Sequence, residues 1–137
     1  MRSQVFLDTS YLLALVRKKD TLHAQALRAS QQFVGPFLTT DLVLIELANS
    51  LATPATRAFA VSFIEKIRSD RHTTIVPCST QKLGRAFDLY KDRQDKSWGM
   101  IDCFSFVTMT ESGVLIALTF DMHFRQSGFE TPLLGEE

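Results

Sequence analysis

The sequence predicts an α/β fold, a parallel sheet with helices on both faces, on three observations. Short apolar or β-branched runs alternate with longer segments of helical character. The run Val114-Leu115-Ile116-Ala117-Leu118 is apolar throughout, as expected for a parallel strand buried on both faces. Within the 137 residues no linker, repeat or low-complexity segment interrupts the alternation, so residues 1–137 read as one domain, long enough to bury a core.

The elements follow in order. Residues 4–7 form the first predicted strand and 9–17 the first helix. Asp20 or Thr21 is placed to cap a second helix over roughly 21–33, which Gly35-Pro36 breaks. Phe37-Leu38-Thr39 is a short strand, and Thr40 can cap a third helix reaching Ala52. Thr53-Pro54 is a cap followed by a first-turn proline, opening a fourth helix to Asp70. Thr73 to Val76 is β-branched and predicts the third strand. Ser79 or Thr80 starts a fifth helix ending at Asp92, and residues 93–100 are polar and loop-like. A sixth helix over 101–112 stops at Gly113. The strand 114–118 follows, then a turn or short helix from Asp121 to Gly128 and a last strand near 130–133.

Composition excludes several classes. Fifteen basic and fifteen acidic residues give zero formal charge, so a broadly basic nucleic-acid coat is absent and only a local patch remains open. No apolar run is long enough to span a membrane, and Asp8 interrupts any signal-peptide core. Cys78 and Cys103 lie in no metal-ligand pattern and read as small buried apolar residues in a reduced, cytoplasmic setting.

Four carboxylates stand among apolar neighbours. Asp8 follows Val5-Phe6-Leu7, Glu46 lies inside Leu42-Val43-Leu44-Ile45 and Leu47-Ala48, Asp102 separates Ile101 from Cys103-Phe104, and Asp121 follows Thr119-Phe120. Burying an unpaired ion costs several kcal/mol, and a domain retains only about 5–15 kcal/mol of net stability. Four such charges are therefore neutralised, solvated, paired, or gathered around a metal. Any one of them is explained by a helix cap or the edge of a buried stripe; the set of four favours a site. Asp8 and Asp121 both follow strands, and Asp8 and Asp102 both lie near helix starts that favour negative charge. Asn49 and Ser50 share the helical face of Glu46. An oxygen-rich cluster suits Mg²⁺ or Mn²⁺.

At these positions the sequence resembles the PIN-domain nucleases, and in particular the VapC-like toxin ribonucleases. The resemblance spans essentially the whole chain through FLDTSYLLAL, TTDLVLIELAN, DKSWGMIDCFSF and LTFDMHFRQSGF, in that order. It implies a five-stranded parallel sheet of order 3-2-1-4-5 and a Mg²⁺- or Mn²⁺-dependent ribonuclease. It also implies a homodimer held inactive by a small antitoxin. Asp8, Glu46, Asp102 and Asp121 match the family's acidic site, with the Thr9 and Ser10 hydroxyls shaping it. In this reading Asp8 and Asp102 hold the ion, while Glu46 and Asp121 hold its waters or a second ion. Gly99 and Ile101 depart from the family, where a serine and a threonine are common.

Four basic residues are placed to contact RNA phosphates: Lys91, Arg93, Lys96 and Arg125. The run Arg17-Lys18-Lys19 reads as a solvated helix end. Ser105, three residues after Asp102, orients it or bonds back to its own helix. His123, two positions from Asp121, could act as a ligand or general base, but a packing or hydrogen-bonding role in the turn is favoured because PIN-like chemistry needs no histidine, and Trp98 either stacks a base or anchors its loop. Two alternatives remain open: a PIN-fold interaction module without catalysis, and a receiver-type Mg²⁺-binding signalling domain. The second expects an acidic pair after strand one and a lysine after a late strand, neither of which is present. A phosphatase of the haloacid dehalogenase type expects a second aspartate where Ser10 stands.

Overall fold

The computed structural model describes residues 3–135. Strand β1 (Val5–Leu7) is buried at all three positions because it lies inside the sheet. It pairs in parallel with β2 (Phe37–Thr40) on one side and β4 (Ile116–Leu118) on the other. Strand β3 (Thr73–Val76) pairs with β2, so the order is β3-β2-β1-β4. The chain steps outward from β1 to β3, then returns to the other flank of β1. The order therefore reverses between β1 and β4, where parallel sheets open a crevice at their carboxyl ends.

The helices are α1 (Thr9–Val16), α2 (His23–Gln32), α3 (Asp41–Ser50), α4 (Pro54–Ser69), α5 (Thr80–Asp92), α6 (Met100–Ser112) and α7 (Met122–Gln126). Most start where the sequence predicts. Thr40 accepts from the Val43 N–H, and Ser79 from the Lys82 N–H, each at 3.1 Å. Gly113 ends α6 with φ of +68°, a left-handed conformation that an L side chain disfavours. Two caps differ. Helix α2 begins at His23 rather than at 21, because Asp20 closes a turn by accepting from the Leu22 N–H at 2.8 Å. Thr53 precedes Pro54 as expected, but its hydroxyl bonds the Thr56 hydroxyl instead of a helix N–H.

The fifth strand is the main correction. Beyond β4 there is a single parallel bridge, Ile116 to Glu130, and not a strand over 130–133. Glu130 exchanges backbone bonds with Leu115 and Ala117, but the ladder goes no further. Pro132 has no N–H to offer, and Arg125 holds the carbonyls that follow it: its Nη2 donates to the Leu134 carbonyl at 3.0 Å and its Nη1 to the Gly135 carbonyl at 2.7 Å. Strand β4 is consequently an outer strand and starts at Ile116; Leu115 is 66% exposed, so the run 114–118 is not buried on both faces.

The core holds Phe6, Leu38, Val43, Leu47, Phe104, Phe106, Met109, Leu118 and Phe124. Phe106 meets Trp98 and Phe124 edge-on at 5.1 and 5.0 Å, and Phe124 lies 5.9 Å from Phe6. These rings fasten α6 and α7 to β1. Cys103 is buried as expected, whereas Cys78 is exposed. Among the described residues no helix is long and apolar enough to cross a membrane.

Candidate active site

The carboxyl end of β1 delivers Asp8 directly. It caps α1, and its Oδ2 accepts from Ser10 Oγ at 2.7 Å and Thr119 Oγ1 at 2.8 Å, with the Ser10 N–H at 3.4 Å. Ser10 Oγ in turn accepts from the Phe120 N–H at 2.9 Å, so β1 and the end of β4 are stitched through side chains. Asp8 is buried, and this burial raises its carboxyl to about 6. The Ser10 and Thr119 hydroxyls pull it back, and the negative charge of Asp121 pushes it further up. The Thr9 N–H also lowers it.

Asp121 caps α7 one step beyond β4. Its Oδ1 accepts from the His123 N–H at 2.9 Å. Asp102 lies in the first turn of α6, and its Oδ2 accepts from the Gly99 N–H at 3.0 Å. His123 joins the two: its Nδ1 is 2.9 Å from Asp102 Oδ2 and 3.3 Å from Asp121 Oδ1. One ligand atom from each of Asp102, Asp121 and His123 falls within 4.8 Å of the others. This trio is the tightest grouping at the site. It differs from the sequence reading, in which Asp8 and Asp102 form the primary pair. Asp8 stands beside it as the electrostatic neighbour of Asp121.

Glu46 is half-buried on α3, a helix packed against α1 and α6, and makes no hydrogen bond among the described residues. Asn49, one turn on, is exposed. Thr9 and Ser105 are buried, and neither hydroxyl has a hydrogen-bond partner. Ser105 therefore neither touches Asp102 nor bonds back to its helix.

The cations divide. Lys91 is exposed, pairs with Asp88 at 3.5 Å and covers the Phe87 ring. Arg93 is held by both oxygens of Asp95 and lies over the Trp98 ring at 4.9 Å. Arg125 donates to Thr131 Oγ1 and to the Leu134 and Gly135 carbonyls. Lys96 lines a recess of about 450 Å³ with Tyr90, Trp98 and Gly99, next to the turn that carries Asp102. Trp98 anchors this loop: it is 5% exposed and donates through Nε1 to Gln126 Oε1 at 3.0 Å.

The link from His123 to Asp102 runs between separate helices and is not legible in the sequence. The only local signal was the two-residue spacing of His123 from Asp121.

The family model of the PIN domain matches residues 5–130. The chain belongs to the PIN domain family. VapC20 of Mycobacterium tuberculosis, described as a sarcin–ricin-loop-cleaving toxin, superposes on this PIN domain with a TM-score of 0.85 at 25% identity, over 92% of this chain and 96% of that one. FitAcB from Neisseria gonorrhoeae matches with a TM-score of 0.69 at 12% identity, over 93% and 96% of the two chains. DNA-bound VapBC from Salmonella typhimurium matches at 0.66 and 13%, over 95% and 96%. No curated protein sequence matches significantly.

Gly99 has ordinary extended backbone at φ −78°. A Cβ placed there meets only Asp102 Oδ2, at 4.0 Å. Gly99→Ser is therefore expected to fold normally and to gain a few tenths of a kcal/mol from its capping hydroxyl. A urea melt measures this, and a loss above about 1 kcal/mol would contradict the open surroundings of this residue.

Proposed function

We propose that this PIN domain is a divalent-metal-dependent endoribonuclease and the toxin of a toxin–antitoxin pair. The observation that carries the reading is the gathering of Asp8, Asp102 and Asp121 at the sheet's reversal point, inside a fold shared with VapC20. The donor set fits a hard cation: carboxylate oxygens in a partly open cleft, with side-chain exposures of 19% at Asp102 and 34% at Asp121. Mg²⁺ or Mn²⁺ at such a site supplies Lewis acidity toward a phosphodiester oxygen and a water acidic enough to attack in line.

The chain's own residues prepare that chemistry. Asp102 and Asp121 present ligand oxygens whose positions are fixed by the backbone N–H groups of Gly99 and His123. Ser10 and Thr119 hold Asp8 through Oδ2. Glu46, on α3, is the fourth acidic position of the family resemblance and is assigned a supporting role here on that resemblance. Lys96 offers a positive charge beside the loop, suited to an RNA phosphate.

The partners follow from the same reading. An apolar groove of about 600 Å³, lined by Leu12, Leu15, Phe33, Val34 and Phe63, suits the apolar side of a small antitoxin. Ile45 on α3 and Phe59 and Val61 on α4 are exposed and available to a homodimer seam. Because VapC20 is described as cleaving the sarcin–ricin loop, ribosomal RNA is the first substrate to test.

Purified protein is expected to cut ribosomal RNA with Mg²⁺ or Mn²⁺. EDTA should stop the reaction, and Asp102→Asn should lose it. Water as the nucleophile leaves no 2′,3′-cyclic phosphate on the mapped fragment ends. Cleavage that persists in EDTA, or cyclic-phosphate ends, would reject the metal mechanism. Tight RNA binding without cleavage under any metal would favour the interaction module instead.

A further inference from the structure

We infer that His123 is itself a ligand of the divalent ion, through Nδ1, completing a nitrogen–oxygen–oxygen set with Asp102 and Asp121. The inference rests on the metal-dependent reading above. Adjacent donors around an octahedral ion with bonds of about 2.0–2.1 Å stand about 3 Å apart. The separations of 2.9 Å to Asp102 Oδ2 and 3.3 Å to Asp121 Oδ1 are those of neighbouring positions on such an octahedron.

The way the oxygens are held points the same way. Each already has a backbone donor, Gly99 N–H at 3.0 Å and His123 N–H at 2.9 Å, so neither needs the imidazole to be satisfied. Yet the imidazole is the one basic side chain that reaches either carboxylate among the described residues. Its ring is 28% exposed, which keeps the position open to solvent and to phosphate oxygens, as an ion that retains waters requires. The three ligand atoms come from two elements, α6 and the start of α7, whose relative position the Phe106–Phe124 contact fixes.

A nitrogen donor changes which ion the site prefers. Imidazole suits first-row transition ions better than Mg²⁺, whereas carboxylates accept both. The site should therefore favour Mn²⁺ over Mg²⁺ more strongly than an all-oxygen set does.

The test uses the full-length protein without RNA. Mn²⁺ is titrated by calorimetry, and the bound ion is read by pulsed electron paramagnetic resonance. Wild-type protein should show the ¹⁴N modulation of a directly coordinated imidazole. His123→Asn keeps a side-chain donor near the Nδ1 position but removes the imidazole, and should lose that modulation. Its Mn²⁺ affinity should fall at least about 10-fold, and its Mg²⁺ affinity by less. Mn²⁺ bound without ¹⁴N modulation in the wild type overturns the role of His123 and leaves the nuclease reading standing. Failure to bind Mn²⁺ at all overturns both. The decisive signal is read on the unmodified chain, so it does not depend on the variant folding.

Discussion

Asp8→Asn is expected to lower the proposed metal-dependent RNA cleavage by about two orders of magnitude or more, since a charged contribution to transition-state stabilisation is worth several kcal/mol. The same substitution makes the metal-free protein more stable at neutral pH. The two effects share one cause. Burial lifts the Asp8 carboxyl from 3.8 to about 6, so the folded chain holds a proton that the unfolded chain releases between those values. The neutral carboxyl is compatible with the core, and stability from this residue is full below about pH 4. It is lost as pH rises through about 6, where folding must accommodate the ionised form. At 1.36 kcal/mol per unit the loss approaches about 3 kcal/mol. Asparagine keeps an oxygen to accept from Ser10 and Thr119 and never ionises. Urea melts in EDTA should therefore show variant and wild type alike at pH 4, with the variant ahead at pH 8. Added Mg²⁺ or Mn²⁺ should raise the wild type more than the variant, because only the native acidic set binds the ion fully. Identical melts at pH 8 would show that the ionised carboxylate carries no burial cost.

Phe124→Ala is the second large effect. Phe124 is fully buried in the five-residue helix α7, against Phe106 at 5.0 Å and Phe6 at 5.9 Å. Removing a buried phenyl ring costs about 3–5 kcal/mol, a large share of the about 5–15 kcal/mol a domain commands. Helix α7 is too short to persist without tertiary packing; it carries His123 and is capped by Asp121. Thermal melting should drop by about ten degrees or more. Mn²⁺ binding, measured below the melting point, should weaken. Phe124→Leu, which keeps most of the volume, should recover most of both. Unchanged metal affinity in a folded Phe124→Ala protein would mean that α7 is held by other contacts.

The parts of this fold that were legible in the sequence were those set by neighbours along the chain. Val5-Phe6-Leu7 followed by an aspartate, Thr40 before α3, Ser79 before α5 and Gly113 after α6 each act within a turn or two of themselves, and each was placed correctly. The misplaced features depend on contacts through space. Pro132 and the Arg125 clamp end the fifth strand, but a clamping arginine and a phosphate-binding arginine look alike until their partners are known. His123 looked local because its link to Asp102 runs between separate helices. Trp98 had two equal roles until its N–H met Gln126.

Asp8 and Thr119 are 111 positions apart, yet they share a hydrogen bond of 2.8 Å. The candidate cleft is thus built from the first and the last strand of the described residues. During translation, β1 must wait for β4 to emerge before the carboxylate next to it gains its neighbours. A nascent chain that stops short of residue 121 therefore lacks part of the acidic set, and Asp8 reaches its Thr119 partner only after 111 further positions are made.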